Sequence, residues 1–263
     1  MNLLDALILG IIQGLTEFLP VSSSGHLVIA QHLLGFSAPG LHLEIWLHAG
    51  TLLAVLIYFR RRIYAVVQAI LYLRVAPEPA RNRRLFWAVV VGTIPAAVVG
   101  VSLEEYIGRA FDAPEFASLM LMVTGIILLF TRLTVNRLKR LTIARGFAVG
   151  CAQAVAILPG ISRSGTTISG AMFLGMDPSL GAEFSFLLAI PAIGGAFMLD
   201  TLSSGTELIG SGTRIVYVVG ALVSFLVGLL AIHYLLKIVA TGRFYLFGLY
   251  CLVAGAISFI LMY

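Results

Sequence analysis

The chain has 263 residues, of which 60% are hydrophobic and 11% are charged, and its mean hydropathy is +1.03. These values exclude an ordinary soluble domain and indicate an all-α polytopic membrane protein surrounded by the lipid bilayer. The net charge of +5 does not indicate nucleic-acid binding, because the basic residues lie in loops between apolar segments.

Length separates the apolar stretches into two kinds, because a helix needs about 20 residues to cross the hydrocarbon core of a bilayer. The stretches that are long enough lie, in chain order, at about 41–59, 85–103, 115–133, 180–200, 215–236 and 244–262. Shorter stretches lie at about 3–18, 23–35, 144–158 and 165–176. We therefore predict six transmembrane helices and four shorter helices.

The short stretches come in pairs, and each pair is broken by a turn rich in Pro, Gly and Ser. The turn FLPVSSSGH, residues 18–26, is called the first tip here, and the turn LPGISRSGT, residues 158–166, is called the second tip. A membrane tolerates such irregular backbone where it is buried in protein or lines a polar cavity. We therefore predict two re-entrant helical hairpins.

The basic residues predict the orientation of the chain in the membrane. Most of the 17 Lys and Arg lie in or beside three loops, at about 60–84, 134–144 and 237–243. This bias assigns these loops to the cytoplasm and assigns the loop at 104–113 to the outside. The stretch IYAVVQAILYL after Arg62 is too short to span and is expected to lie along the cytoplasmic interface.

The two halves of the chain resemble each other. A shift of 140 residues places Gly10, Gln13, Ser22, Ser24 and Gly25 on Gly150, Gln153, Ser162, Ser164 and Gly165. Each half is then a hairpin followed by three spanning helices, and the odd number of crossings turns the second half upside down. We predict one integral membrane domain, residues 1–263, in which repeat 1 (about 1–135) and inverted repeat 2 (about 140–263) bring the tips together near the midplane.

Two charged side chains, Glu17 and Arg163, fall at or beside the tips, where charge is costly, which makes them candidates for a functional site and for partners of each other. A salt bridge that joins the hairpins is the alternative, but it does not account for the hydroxyl groups and the histidine nearby. The donor fork of Arg matches phosphate oxygens, and Gly/Ser turns that lead into helices offer N–H groups to an anion. The other residues predicted to bind such an anion are Ser22, Ser24, Gly25, Gly160, Ser162, Ser164, Gly165 and Thr167.

Ser23 and His26 are the candidates for nucleophile and base. They are three residues apart at the start of a short helix, so the imidazole could take a proton from the hydroxyl or attack phosphorus itself. The alternatives are a Ser N-cap, which suits Ser22 or Ser23, and a hydrogen-bonded core histidine.

Gln13 and Glu17 are the candidates for cation ligands. They are four residues apart on the preceding helix, and their oxygens suit a divalent cation, Mg²⁺ or Ca²⁺, with substrate phosphate completing its shell. A structural hydrogen bond is the alternative role for Gln13. Glu44 and His48 share a face of the third helix and are candidates for supporting residues.

QGLTEFLPVSSSGH and LPGISRSGTTISG resemble the two signature motifs of the bacterial undecaprenyl-diphosphate phosphatases, also called bacitracin-resistance proteins. The resemblance covers the whole chain and implies hydrolysis of undecaprenyl diphosphate to undecaprenyl phosphate and inorganic phosphate, at an inner-membrane site reached from the periplasm. It assigns Glu17 to the metal, Ser23 or His26 to attack or base catalysis, and Arg163 to the diphosphate. The first motif of the family opens with Glu or Gln, and the Gln13 found here leaves one carboxylate instead of two.

A secondary transporter or flippase for an anionic lipid or small anion is the alternative function, since inverted repeats with broken helices are typical of that class. Transport needs Arg163 but no nucleophile, so Ser23 and His26 together with Glu17 favour an enzyme. A structural scaffold leaves the intramembrane charges unexplained. The sequence leaves open which of Ser23 and His26 attacks, which metal is used, and the oligomeric state, a homodimer included.

Overall fold

The computed structural model describes residues 2–34, 41–71, 78–134, 140–203 and 211–262. These residues are almost entirely helical and form no β-sheet, so the prediction of an all-α fold is confirmed. The α-helices are α1 (Leu3–Phe18), α2 (Ser23–Leu33), α3 (Leu41–Tyr58), α4 (Arg60–Leu71), α5 (Pro79–Ser102), α6 (Glu104–Phe111), α7 (Pro114–Phe130), α8 (Ile143–Val155), α9 (Arg163–Phe173), α10 (Pro178–Ser203), α11 (Ser211–Ala240) and α12 (Leu246–Met262).

The length and composition of the helices identify a membrane protein. Four stretches in the described part of the chain are long and apolar enough to cross a bilayer: Pro79–Ser102, Pro114–Leu133, Pro178–Met198 and Ile215–Ala240. These coincide with four of the six predicted spans. The helices at the other two predicted spans, α3 and α12, have 18 and 17 residues.

The outer surface of the helices is strongly apolar. Val98 on α5, Leu230 on α11 and Ile260 on α12 are among many large hydrophobic side chains that are more than half exposed. Isolated apolar residues are common on soluble proteins, but contiguous apolar helix faces of this kind need lipid or another protein to cover them. The apolar outer surface therefore agrees with the membrane protein that the composition predicts.

The two hairpins are held to long helices in the same way. Helix α1 packs on α11, and helix α8 packs on α5. A Cβ on Gly10 of α1 would lie 2.8 Å from the carbonyl oxygen of Gly220, and a Cβ on Gly150 of α8 would clash with the carbonyl oxygen of Gly92. Small residues let helix backbones approach closely in membranes, so both hairpins are anchored by backbone-to-backbone packing.

One helix was not predicted. Helix α6 (Glu104–Phe111) occupies the loop that was assigned to the outside, and it is only eight residues long. Such a short stretch gives no reliable periodicity in a sequence. Phe111, at the end of this helix, lines a cleft that Glu17 and Arg163 also line.

Candidate active site

The two tips are in direct contact. The Ser164 hydroxyl donates to the carbonyl oxygen of Leu19 at 3.1 Å. A Cβ on Gly25 would lie 2.9 Å from the Cα of Gly160, whose φ of +91° is in the region that favours glycine. Glycine at both positions therefore allows the second tip to press against the first.

Each tip leads into a helix through a serine cap. The N–H of Gly25 donates to Ser22 Oγ at 3.2 Å, and the N–H of Gly165 donates to Ser162 Oγ at 3.0 Å. The N-cap of α2 is therefore Ser22, one of the two alternatives that the sequence allowed. Ser23 is the first helical residue, and its hydroxyl is not used as a cap.

Glu17 lies at the centre of the contact between the tips and is buried. Its Oε1 accepts from the Arg163 guanidinium, and its Oε2 accepts from the Ser23 hydroxyl. Oε2 also accepts from the Gln13 amide at 3.0 Å, and Nε2 of His48 lies 3.7 Å from it. The expected pairing of Glu17 with Arg163 is therefore present, and the same carboxylate accepts a hydrogen bond from the Ser23 hydroxyl.

His26 is turned away from Ser23. Its Nδ1 lies 2.8 Å from the carbonyl oxygen of Ser22, and its Nε2 lies 2.8 Å from the Tyr250 hydroxyl. Because a carbonyl oxygen can only accept, Nδ1 carries the proton and Nε2 accepts from Tyr250. The expectation that the imidazole meets the Ser23 hydroxyl is wrong, since side chains near a helix start lean back toward the N-terminus, here onto the Ser22 carbonyl.

A cleft of about 360 Å³ opens beside Glu17. Five of the predicted site residues line it: Glu17, Ser23, Ser24, Ser162 and Arg163. Its other walls are mainly apolar and come from Ile45, Phe111, Ala156, Ile157, Ile161, Ala192, Ile193, Ala196 and Phe197. The lining therefore combines the charged Glu17 and Arg163 with mainly apolar side chains. Such a lining fits a ligand that has both a phosphate group and a hydrocarbon chain.

The remaining predicted site residues do not line the cleft: Gln13, Ser22, Gly25, His26, Gly160, Ser164, Gly165 and Thr167. Thr167 is fully buried, and its hydroxyl donates to the carbonyl oxygen of Arg163 at 2.7 Å and lies 2.6 Å from the Ser185 hydroxyl. Thr167 does not line the cleft, and its contact with the substrate stays a prediction. A threonine four residues after Arg163 reaches back to the helix backbone, so it holds the start of α9.

Three contributions to the site were not predicted as part of it. Thr124 of α7 accepts from the N–H of Ser162 at 3.0 Å and donates to the carbonyl oxygen of Gly160 at 2.9 Å. Ser185 supports Thr167, and Phe111 lines the cleft. His48, expected to be a supporting residue, lines the cleft beside Glu17. The side chain of Glu44 lies outside the described residues.

Glu17 and Gln13 are the residues predicted to offer oxygen ligands to a cation. Gln13 donates its amide nitrogen to Glu17, and its buried Oε1 has no hydrogen-bond partner within the described residues. Those residues contain no cluster of three or more His, Cys, Asp or Glu side chains that could hold a metal by themselves. Glu17 and Gln13 Oε1 therefore fit a cation whose remaining ligands are phosphate oxygens and water.

The chain is similar to known proteins over nearly its whole length. The family model of the bacitracin resistance protein BacA matches residues 6–257. The undecaprenyl-diphosphatase of Syntrophotalea carbinolica is 44% identical over 267 residues, which cover 98% of each chain. The undecaprenyl-diphosphatases of Desulfosudis oleivorans and Rhodopirellula baltica are 42% and 41% identical, and the matches cover 98% or more of both chains.

Proposed function

The chain belongs to the bacitracin resistance protein family, and we propose that it hydrolyses undecaprenyl diphosphate to undecaprenyl phosphate and inorganic phosphate. The observation that carries this proposal is the meeting of Glu17, Ser23 and Arg163 on one cleft with apolar walls. The name shared by relatives that match nearly the whole chain identifies the substrate. The reaction returns the lipid carrier to cell-wall synthesis.

The Ser23 hydroxyl is the proposed nucleophile and Glu17 its base. Attack of Ser23 Oγ on the terminal phosphorus transfers the hydroxyl proton to Glu17 Oε2, to which it already donates. The bond from that phosphorus to the bridging oxygen breaks, and undecaprenyl phosphate leaves. Glu17 gives this proton to the departing undecaprenyl phosphate. Water then attacks the phosphoserine and gives a proton to Glu17 Oε2, the bond from phosphorus to Ser23 Oγ breaks, and inorganic phosphate leaves. Glu17 returns the proton to Ser23 Oγ, which restores the hydroxyl.

Arg163 and the starts of α2 and α9 are proposed to hold the phosphate groups. One nitrogen of the Arg163 guanidinium group donates to Glu17, and its other N–H groups can donate to phosphate oxygens. The Ser24 and Ser162 hydroxyls line the same cleft. The first N–H groups of a helix have no acceptor within the helix, and two such helix starts meet here. Donors fixed before the reaction stabilise charge on the transferring phosphoryl group, where phosphoryl transfer gains most of its rate.

A divalent cation, Mg²⁺ or Ca²⁺, is the proposed cofactor, held by Glu17 and Gln13 together with the diphosphate. When bound, it would neutralise negative charge on the phosphate oxygens. The unpartnered Oε1 of Gln13 supports this assignment, because a buried carbonyl oxygen without a partner is costly.

Phosphate release tests the function. Purified protein in detergent with Mg²⁺ or Ca²⁺ is expected to release inorganic phosphate from undecaprenyl diphosphate, and EDTA is expected to stop the release. Undecaprenyl phosphate is the matched control substrate, because it lacks the anhydride bond and should release none. A transporter or flippase would release no phosphate in detergent, where there is no membrane to cross, so inactive but folded protein would contradict the proposal.

We propose that six helices span the bacterial inner membrane, that the two hairpins are re-entrant parts of an inverted repeat, and that the cleft is reached from the periplasm. The matched packing of α1 on α11 and α8 on α5 supports the repeat. Phe111 supports periplasmic access, because it lines the cleft and belongs to the loop that carries few basic residues.

Single cysteines test this orientation. Glu78 and Gly108 are both exposed, and the proposal assigns them to opposite sides of the membrane. In a variant without Cys151 and Cys251, Glu78→Cys is expected to react with an impermeant maleimide from the cytoplasmic side and Gly108→Cys from the periplasmic side. Labelling of both from the same side would contradict the layout.

A further inference from the structure

A second charged cavity lies away from the cleft, at the end of the helices where the basic loops are found. It has a volume of about 190 Å³, and four arginines line it: Arg62 of α4, Arg81 and Arg84 of α5, and Arg140 before α8. Leucine side chains, among them Leu85 and Leu180, complete the lining. None of these residues lines the cleft beside Glu17.

One of the four arginines is fixed in place by the protein. The Nε of Arg62 donates to Glu183 at 2.5 Å, and its Nη1 donates to the buried Asn82 at 2.7 Å. Its Nη2 makes no hydrogen bond within the described residues. Arg62 therefore presents an oriented edge of its guanidinium group at little further cost in side-chain entropy.

The cavity has more positive than negative charge. Glu183 neutralises Arg62, and Glu78 pairs with Arg81 at 2.8 Å. Within the described residues the Arg84 and Arg140 guanidinium groups have no carboxylate partner, which leaves two uncompensated charges. Like charges gathered around one small cavity repel each other, and a bound anion would remove that repulsion.

We propose that this cavity binds the phosphate group of an anionic phospholipid. Guanidinium forks match phosphate oxygens, and basic pockets between helices on the cytoplasmic side suit lipid head groups. Helix α4, which supplies Arg62 to the cavity, favours a lipid over free phosphate. Its apolar side chains Tyr64, Val67 and Leu71 are exposed on another face of the helix and need acyl chains to cover them, so the helix that lines the cavity fits the surface of a bilayer. The site does not depend on the reaction proposed for the cleft.

Lipid binding by a double variant tests the proposal. The affinity for phosphatidylglycerol would be measured by native mass spectrometry of the full chain in detergent, with phosphatidylcholine as the comparison lipid. Arg84→Gln with Arg140→Gln is expected to weaken phosphatidylglycerol binding at least about fivefold, since each basic residue near a lipid head group contributes about 1 kcal/mol. Arg62 is left intact, because its removal would leave the Glu183 carboxylate without its ion-pair partner.

The matched control also removes two arginine charges, from helix α4, which supplies Arg62 to the cavity. Arg60 and Arg61 are exposed on α4 but do not line the cavity. Arg60→Gln with Arg61→Gln is expected to bind phosphatidylglycerol like the wild type. Equal weakening in both double variants would mean unspecific surface attraction and would overturn the proposal. Equal affinity for phosphatidylcholine, or displacement of the lipid by millimolar inorganic phosphate, would overturn it as well.

Discussion

Ser23→Ala is expected to reduce phosphate release at least about a thousandfold, which corresponds to about 4 kcal/mol of transition-state free energy. Alanine offers no oxygen to attack phosphorus, and no other described hydroxyl that lines the cleft donates to Glu17. The measurement is the steady-state rate of phosphate release from undecaprenyl diphosphate. Binding of the substrate should persist, because Arg163 and the helix starts remain.

Three further variants help to decide whether Ser23 or His26 attacks the phosphorus. Ser169→Ala is the matched control, because that buried hydroxyl has no hydrogen-bond partner in the described part of the chain and does not line the cleft. Its rate should equal that of the wild type. Since His26 contacts Tyr250 instead of Ser23, His26→Gln and Tyr250→Phe should both retain measurable activity. Substantial activity in Ser23→Ala, with none in His26→Gln, would assign the attack to His26.

Much of the architecture was predictable because the membrane imposes it. Spanning helices must be long and apolar, which is why four predicted spans match helices in the structure. The two interrupted pairs became helix pairs whose tips touch, because turns with Pro, Gly and capping Ser end helices wherever they occur. The ion pair of Glu17 with Arg163 was also predictable, since two opposite charges at membrane depth have few other partners.

The direction of individual side chains was not predictable. The three-residue spacing predicted that the His26 ring would lie beside the Ser23 hydroxyl. In the structure the ring is hydrogen-bonded to Tyr250 on helix α12, which is far away in the chain. Likewise, Thr124 and Ser185 support the second tip from α7 and α10, and no local pattern marks either residue. Such contacts join residues far apart in the chain, so they appear only once the helices are packed.

The two tips share a serine cap, but the residues that follow the caps differ in their chemistry. The shift of 140 residues that aligns the capping serines also aligns Ser23 with Arg163, and Glu17 with Ile157. Both tips start a helix from a serine cap with nearly the same hydrogen bonds. One supplies the hydroxyl and the other, from the equivalent position, supplies the guanidinium group. An inverted repeat would bring these complementary groups face to face, as they are across Glu17.

Arg163→Lys is expected to lower turnover at least about tenfold, or about 1.4 kcal/mol, while the protein keeps its fold. A lysine ammonium can still pair with the Glu17 carboxylate, but it cannot reproduce the planar fork that contacts two phosphate oxygens at once. The measurement is the rate of phosphate release, together with the midpoint of thermal unfolding in detergent.

This variant separates the two roles that the ion pair allows. If Arg163 serves only to join the hairpins, Arg163→Lys preserves the charge pair with Glu17 and should keep both full stability and full turnover. If Arg163 holds the phosphate, turnover falls while the unfolding midpoint stays near that of the wild type. Arg163→Gln is the companion variant, because it removes the charge and leaves the buried Glu17 carboxylate without its ion-pair partner, so it should lower both quantities. Wild-type turnover in Arg163→Lys would therefore rule out the phosphate clamp and leave Arg163 a purely structural partner of Glu17.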